Sequence, residues 1–240
     1  MHGFANPKRF LSIARPLTPW LLGVGLLLTG ASLAWGLTQV PAERLQGETV
    51  RILFVHVPTA WLGMAGWTAI AAASLAEIVW RHPLASIAGR AAAVPGAVFT
   101  ALCLATGSLW GRPAWGTWWE WDGRLTSMLV LLFLYLGYIA LSQAAAREGA
   151  SSRIPAIFGL IGVANVPVIH YSVLWWYSIH QKPSFSIGGS AMAGEFRWPL
   201  LAATAGFSLM FAAVVLMRMR ALLADAQAEA RLRRRAREAD

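Results

Sequence analysis

"LTSMLVLLFLYLGYIALSQAAA", residues Leu125–Ala146, carries no charged side chain anywhere along its length. A helix of that length spans the roughly 30 Å of hydrocarbon in a bilayer. The stretch has no period-two alternation, so it does not read as a strand of an outer-membrane barrel. The same signature recurs on both sides, at Leu17–Leu37, Phe54–Trp80, Ala91–Leu109, Ile154–Tyr177 and Trp198–Met219. The expected fold class is an all-α membrane protein with six transmembrane helices and short connections. It divides into one domain over residues 1–220 and a basic tail over 221–240. Composition agrees, with 57% hydrophobic and 13% charged residues, against about 25% charged in soluble domains. The first apolar stretch is longer than the roughly 7–15 residue core of a cleaved signal peptide and is expected to stay as an anchor.

Orientation follows from the basic residues. Six spans put both termini on one side, which holds 14 Lys and Arg, from Lys8 through the tail "RLRRRARE". The opposite side holds 6, namely Arg44, Arg51, Arg112, Arg124, Lys182 and Arg197. The richer side is cytoplasmic by the positive-inside rule. The net charge of +9 reflects this asymmetry. It points to anionic lipid or a helical tail rather than to nucleic acid.

The single cysteine, Cys103, excludes an intramolecular disulfide, a C-x-x-C redox pair and C-x-x-C-H haem attachment. No P-loop and no H-E-x-x-H occurs, so the chain shows no ATPase or zinc-protease motif of its own.

Five of the thirteen tryptophans fall within "WGRPAWGTWWEW", residues Trp110–Trp121. An interfacial aromatic belt accounts for single residues near span ends, such as Trp20, Trp35, Trp80 and Trp198. It accounts less well for this density, which favours a ligand-binding shelf. Trp115, Trp118 and Trp119 have the i, i+3, i+4 spacing of one helical face, and Pro113 suits the start of a helix. A short amphipathic helix is therefore expected in the outer interface. Asp122 is expected to end it and to cap the fourth span, accepting from N–H groups near Arg124 or Leu125.

Three histidines belong to the same side. His56 lies in "FVHVPTAW" at the outer mouth of the second span, with Pro58 expected in that helix's first turn. The positive end of the helix dipole there favours a neutral imidazole, the form that binds metal. Pro167 is expected to kink the fifth span by crowding the carbonyl of Val163. Beyond the kink come His170 and His180, and His180 is level with His56. Along a continuous helix His170 would lie about 15 Å deeper. Two imidazoles without carboxylate or thiolate partners do not suit a closed zinc site. They suit a planar metal macrocycle with axial nitrogens, and the basic loop residues could meet its carboxylates.

"WGRPAWGTWWEWDGRLTS" resembles the WWD signature of haem-handling proteins in cytochrome c maturation. "LFVHVPTAW" and "NVPVIHYSVLWWYSIHQ" resemble the segments that flank it in protein C of that pathway, the CcmC family. The resemblance covers about residues 10–220. It implies non-covalent haem b with bis-histidine ligation, bound at the periplasmic face of a bacterial inner membrane. The axial pair falls on His56 and His180. The binding loop falls on Trp110, Trp115, Trp118, Trp119, Trp121 and Asp122, with Arg51, Arg112 and Arg124 as cation candidates. His170 is not the family's usual ligand. The implied partners are a periplasmic haem chaperone, protein E, and an ABC-type complex. That complex comprises an ATPase, protein A, a membrane component, protein B, and a small helper, protein D. The implied role is binding and transfer rather than enzyme catalysis. Gly123 departs from the bulkier residue common in the family. Residues 184–196, rich in Gly and Ser, match no motif and suit an outer loop that could act as a lid. The alternatives are a permease component with a transmembrane haem path, a synthase-type WWD protein and a purely structural membrane protein. Such a path would need polar groups deep in the spans, and the candidates are few: Asn165, Thr100, Thr106 and His170.

Overall fold

The computed structural model describes residues 6–148, 151–181, 184–186 and 189–239. Among them are seven helices: α1 Pro7–Thr38, α2 Leu53–Trp80, α3 Ala85–Trp115, α4 Gly123–Glu148, α5 Arg153–Gly162, α6 Asn165–Trp175 and α7 Gly194–Ala239. A 3-10 turn, Glu48–Ile52, leads into α2. A two-stranded antiparallel hairpin, β1 Phe185–Ser186 and β2 Gly189–Ser190, precedes α7. With α5 and α6 counted as one span, six spans among the described residues are long and apolar enough to cross a membrane. The chain is a multi-pass membrane protein.

The fifth span breaks where Pro167 requires it. Lacking an N–H, Pro167 cannot bond the carbonyl of Val163. The chain tightens there, with Ala164 N–H donating to Ile161 O at 3.2 Å and Val166 N–H to Val163 O at 3.0 Å. α5 packs on α2, whereas α6 swings onto α4 and meets α2 only slightly. α1 lies along α7, and α7 covers parts of α2 and α3. Among the described residues no helix covers the α2–α6 side.

Lipid tails are as apolar as leucine, so helices in a bilayer associate by close packing and by internal satisfaction of polar groups. Trp67 is fully buried at the centre, surrounded by Tyr135, Tyr138 and Phe158 with ring centroids 5.0, 6.1 and 6.2 Å away. Its indole N–H donates to Gly159 O at 3.2 Å, and the Tyr135 hydroxyl donates to Gly63 O at 2.7 Å. The helices approach this closely because of glycine. A Cβ on Gly162 would stand 2.3 Å from Trp67 Cζ2, and one on Gly96 would stand 2.2 Å from Tyr135 Oη. α7 continues past the membrane to Ala239, so the basic tail extends the last span as helix. Residues 184–196 are not one loop: they contain the hairpin and the first turn of α7.

Candidate functional site

His56 sits in the first turn of α2, because the 3-10 turn lets that helix begin at Leu53. Pro58 therefore falls in the second turn, one turn later than expected. His56 Nδ1 is 3.1 Å from Cys103 O and 3.1 Å from Thr106 Oγ1, both on α3. A carbonyl only accepts, so Nδ1 carries the proton and Nε2 is left as a lone pair. Thr106 donates its own hydroxyl to Leu102 O at 2.7 Å, which keeps its lone pairs for the imidazole. The Trp110 ring meets His56 edge-on at 5.6 Å. Its indole N–H is fixed by Gln46 Oε1 at 2.8 Å.

His180 is held differently. α6 ends at Trp175, and Trp176 is extended with φ −128° and ψ 161°. The chain then folds back onto the α3–α4 connection. Asp122 Oδ2 accepts from His180 Nδ1 at 2.9 Å and from the Ser178 hydroxyl. Asp122 Oδ1 accepts from Leu125 N–H at 2.8 Å and caps α4, as the sequence predicts. Burial works to raise the pKa of this carboxyl. The hydrogen bonds from His180, Ser178 and Leu125 outweigh it and hold the pKa down to about 2. An ionised Asp122 holds the proton on His180 Nδ1, so Nε2 is the ring nitrogen left to face a metal. The Trp115 ring lies 4.8 Å from that of His180.

Both histidines line one cavity walled by α2, α3, α4, α6 and α7 and by described residues between α6 and α7, about 1210 Å³ with its mouth included. His170, Arg124, Trp61 and Trp110 share the wall, and the rest is largely apolar. His170 thus belongs to the same chamber as His180. The helical rise that set the two apart does not extend to His180, because the helix stops five residues before it. Arg124 donates through Nη2 to His170 O at 3.2 Å, while its Nε is buried without a partner among the described residues.

The tryptophan segment departs from expectation. α3 runs on through Pro113 to Trp115, and Gly116 ends it in the left-handed region at φ 80°. Thr117 then exchanges hydrogen bonds with Trp119 in a local turn, which competes with a new helix. Trp115, Trp118 and Trp119 therefore do not share a helical face. Trp110 lines the cavity and Trp115 meets the His180 ring at an angle of 60°. Trp118, Trp119 and Trp121 are not on the wall, and Trp121 is 73% exposed. Trp119 packs against Trp121 with centroids 5.4 Å apart.

Two basic candidates are engaged elsewhere. Arg51 donates to Gly36 O and Leu37 O at 3.0 and 2.7 Å, which closes the end of α1, and it pairs with Glu48. Arg112 donates to Gly116 O at 2.6 Å and closes the end of α3. Neither lines the cavity. Lys182 lies outside the described residues. Sequence reasoning missed Trp61, Gln46 and Ser178. Trp61 closes the "FVHVPTAW" stretch and was the one with a visible signal. The other two are recognisable only from their partners.

Among the described residues no group of three or more His, Cys, Asp or Glu side chains could hold a bare metal ion. Two imidazoles instead suit a metal that arrives with its own equatorial ligands. Apolar walls suit a flat macrocycle, and the buried unpaired Nε of Arg124 suits a carboxylate on its edge.

The family model described as heme exporter protein C (CcmC) matches residues 1–234. The heme exporter protein C of Bradyrhizobium diazoefficiens is 47% identical over 220 residues, 90% of this chain and 82% of that protein. Its counterpart in Escherichia coli strain K12 is 43% identical over 226 residues, 93% of this chain and 90% of that protein. That of Paracoccus denitrificans is 39% identical over 219 residues, 90% of each.

Proposed function

The chain belongs to the heme exporter protein C family, and from that membership and the cavity together we propose that it binds haem and presents it for cytochrome c maturation. The observation that carries this is the pair of histidines in one chamber. Each has Nδ1 tied to an acceptor, which leaves Nε2 as the nitrogen for a metal. His56 and His180 would hold the iron of a non-covalent haem b through these two nitrogens. Arg124 receives a propionate, Trp110 and Trp115 steady the two imidazoles, and Trp118 and Trp121 stand outside as a contact face. The chain acts as a binding and transfer protein. Its site faces the periplasm from an inner membrane, with both termini cytoplasmic. Its open mouth serves a haem chaperone, protein E of the pathway. The pathway's ATPase, protein A, working with the membrane component, protein B, and the helper, protein D, supplies the energy that a chain without a P-loop cannot.

The test is the absorption spectrum of the detergent-solubilised protein. The native chain should carry a low-spin haem spectrum. The double variant His56→Ala, His180→Ala should lose it, and His170→Ala should keep most of it. An unchanged spectrum in the double variant would overturn the assignment.

A further inference from the structure

The fifth span is tight against α2 in its first half and parted from it in its second. α5 packs on α2, then the break at Val163–Ala164 turns α6 onto α4. Arg124 of α4 secures α6 from that side through the carbonyl of His170. The result is a seam between α2 and α6. Its α2 edge is Val57, Ala60, Trp61 and Met64, and its α6 edge is Ile169 and His170. All six line the cavity.

The rings of Trp61 and His170 meet across this seam, edge to face, with centroids 6.3 Å apart. Both rings also stand on the cavity wall. Trp61 is 47% exposed, and the neighbouring outer surface is Tyr171, Leu174 and Trp175, all exposed. Tyr171 and Trp175 stack with centroids 5.8 Å apart and an interplanar angle of 28°. That surface belongs to a membrane-spanning helix with no other helix over it among the described residues, so it faces lipid. A partly exposed imidazole on such a face is costly, and ionisable groups in spans mark pathways.

We propose that the α2–α6 seam is a lateral portal through which a flat, amphipathic metalloporphyrin passes from the bilayer into the cavity, with Trp61 and His170 as its two leaves. This rests on the haem-binding role above. The stacked Tyr171 and Trp175 rings offer a flat apolar cargo a landing surface in the lipid. The leaf that moves is α6, because its only strong packing is on α4 and its root is the broken turn. His56 and His180 lie beyond the leaves, so the cargo meets them after passing the seam.

The test uses the full chain carrying Trp61→Cys and His170→Cys, reconstituted in phosphatidylcholine vesicles. A short bis-methanethiosulfonate links the two cysteines, and a phosphine reductant releases them. The two single-cysteine variants, treated alike, control for reaction at Cys103. Ferric haem is supplied either dissolved in the vesicle lipid or bound to albumin in the outer solution. The readout is the initial rate of low-spin haem formation. Linking should slow uptake from lipid by about tenfold or more, and release should restore it. Uptake from albumin, through the mouth, should change less than about twofold. Unchanged uptake from lipid, or equal slowing of both routes, would overturn the portal. A native chain that forms no pigment by either route would overturn the haem-binding role itself, and the portal with it.

Discussion

Asp122 divides its two oxygens between a helix and an imidazole. Asparagine has one acceptor oxygen and cannot serve both. Asp122→Asn should therefore lower haem affinity by roughly 10–100-fold, as loss of a partner to a metal-binding histidine does. The apoprotein should lose roughly 2–3 kcal/mol, the scale that a carboxyl lowered from about 3.9 to about 2 implies. A haem titration alongside a thermal melt of the same sample separates the two effects. The carboxyl also sets a pH dependence. Its folded pKa of about 2 lies below the ordinary value of about 3.9. Its stabilisation is therefore complete above the ordinary value and is lost as pH falls through the folded one. The gap in melting temperature between wild type and Asp122→Asn should be constant from neutrality down to about pH 5 and close as pH approaches 2. The capping role was legible in the sequence, because an aspartate stands just before an apolar run. The bond to His180 was not, because it joins residues 58 apart through a fold-back that no local pattern announces.

The spans themselves were the most legible elements. Their length and apolarity are set by the bilayer, and Pro167 names the carbonyl at which the fifth one breaks. The tryptophan segment is where spacing misleads at this scale. Helical spacing promises a shared face, but Gly116 stops α3 and Thr117 offers the backbone a competing turn. The segment still suits a transfer surface, because Trp118 and Trp121 are exposed. Trp121→Ala should leave stability within about 0.5 kcal/mol, the usual range for an exposed side chain. The same variant should slow passage of bound haem to the chaperone, measured by mixing the two purified proteins and following the haem spectrum. Packing between elements makes the opposite demand. At Gly162 a methyl would stand 2.3 Å from Trp67. Gly162→Ala should cost about 1–3 kcal/mol by overpacking, read as a lower melting temperature in detergent.

Across the whole molecule, the site and the tail fall at opposite ends of the bundle, and the proposed orientation puts the site outside. Leu45, 90% exposed in the α1–α2 connection, should be labelled as cysteine by an impermeant maleimide on intact spheroplasts. Glu238→Cys at the tail should label only after permeabilisation, while buried Cys103 stays silent in both. The two histidines also differ in how they are mounted. His56 is built into a 28-residue helix and braced by the backbone of the next. His180 stands on irregular chain, moored by two side chains. A vice with one welded jaw and one hinged jaw opens from a single direction. Whatever draws the cargo out need only swing the hinged side, and the welded side will be in register for the next load.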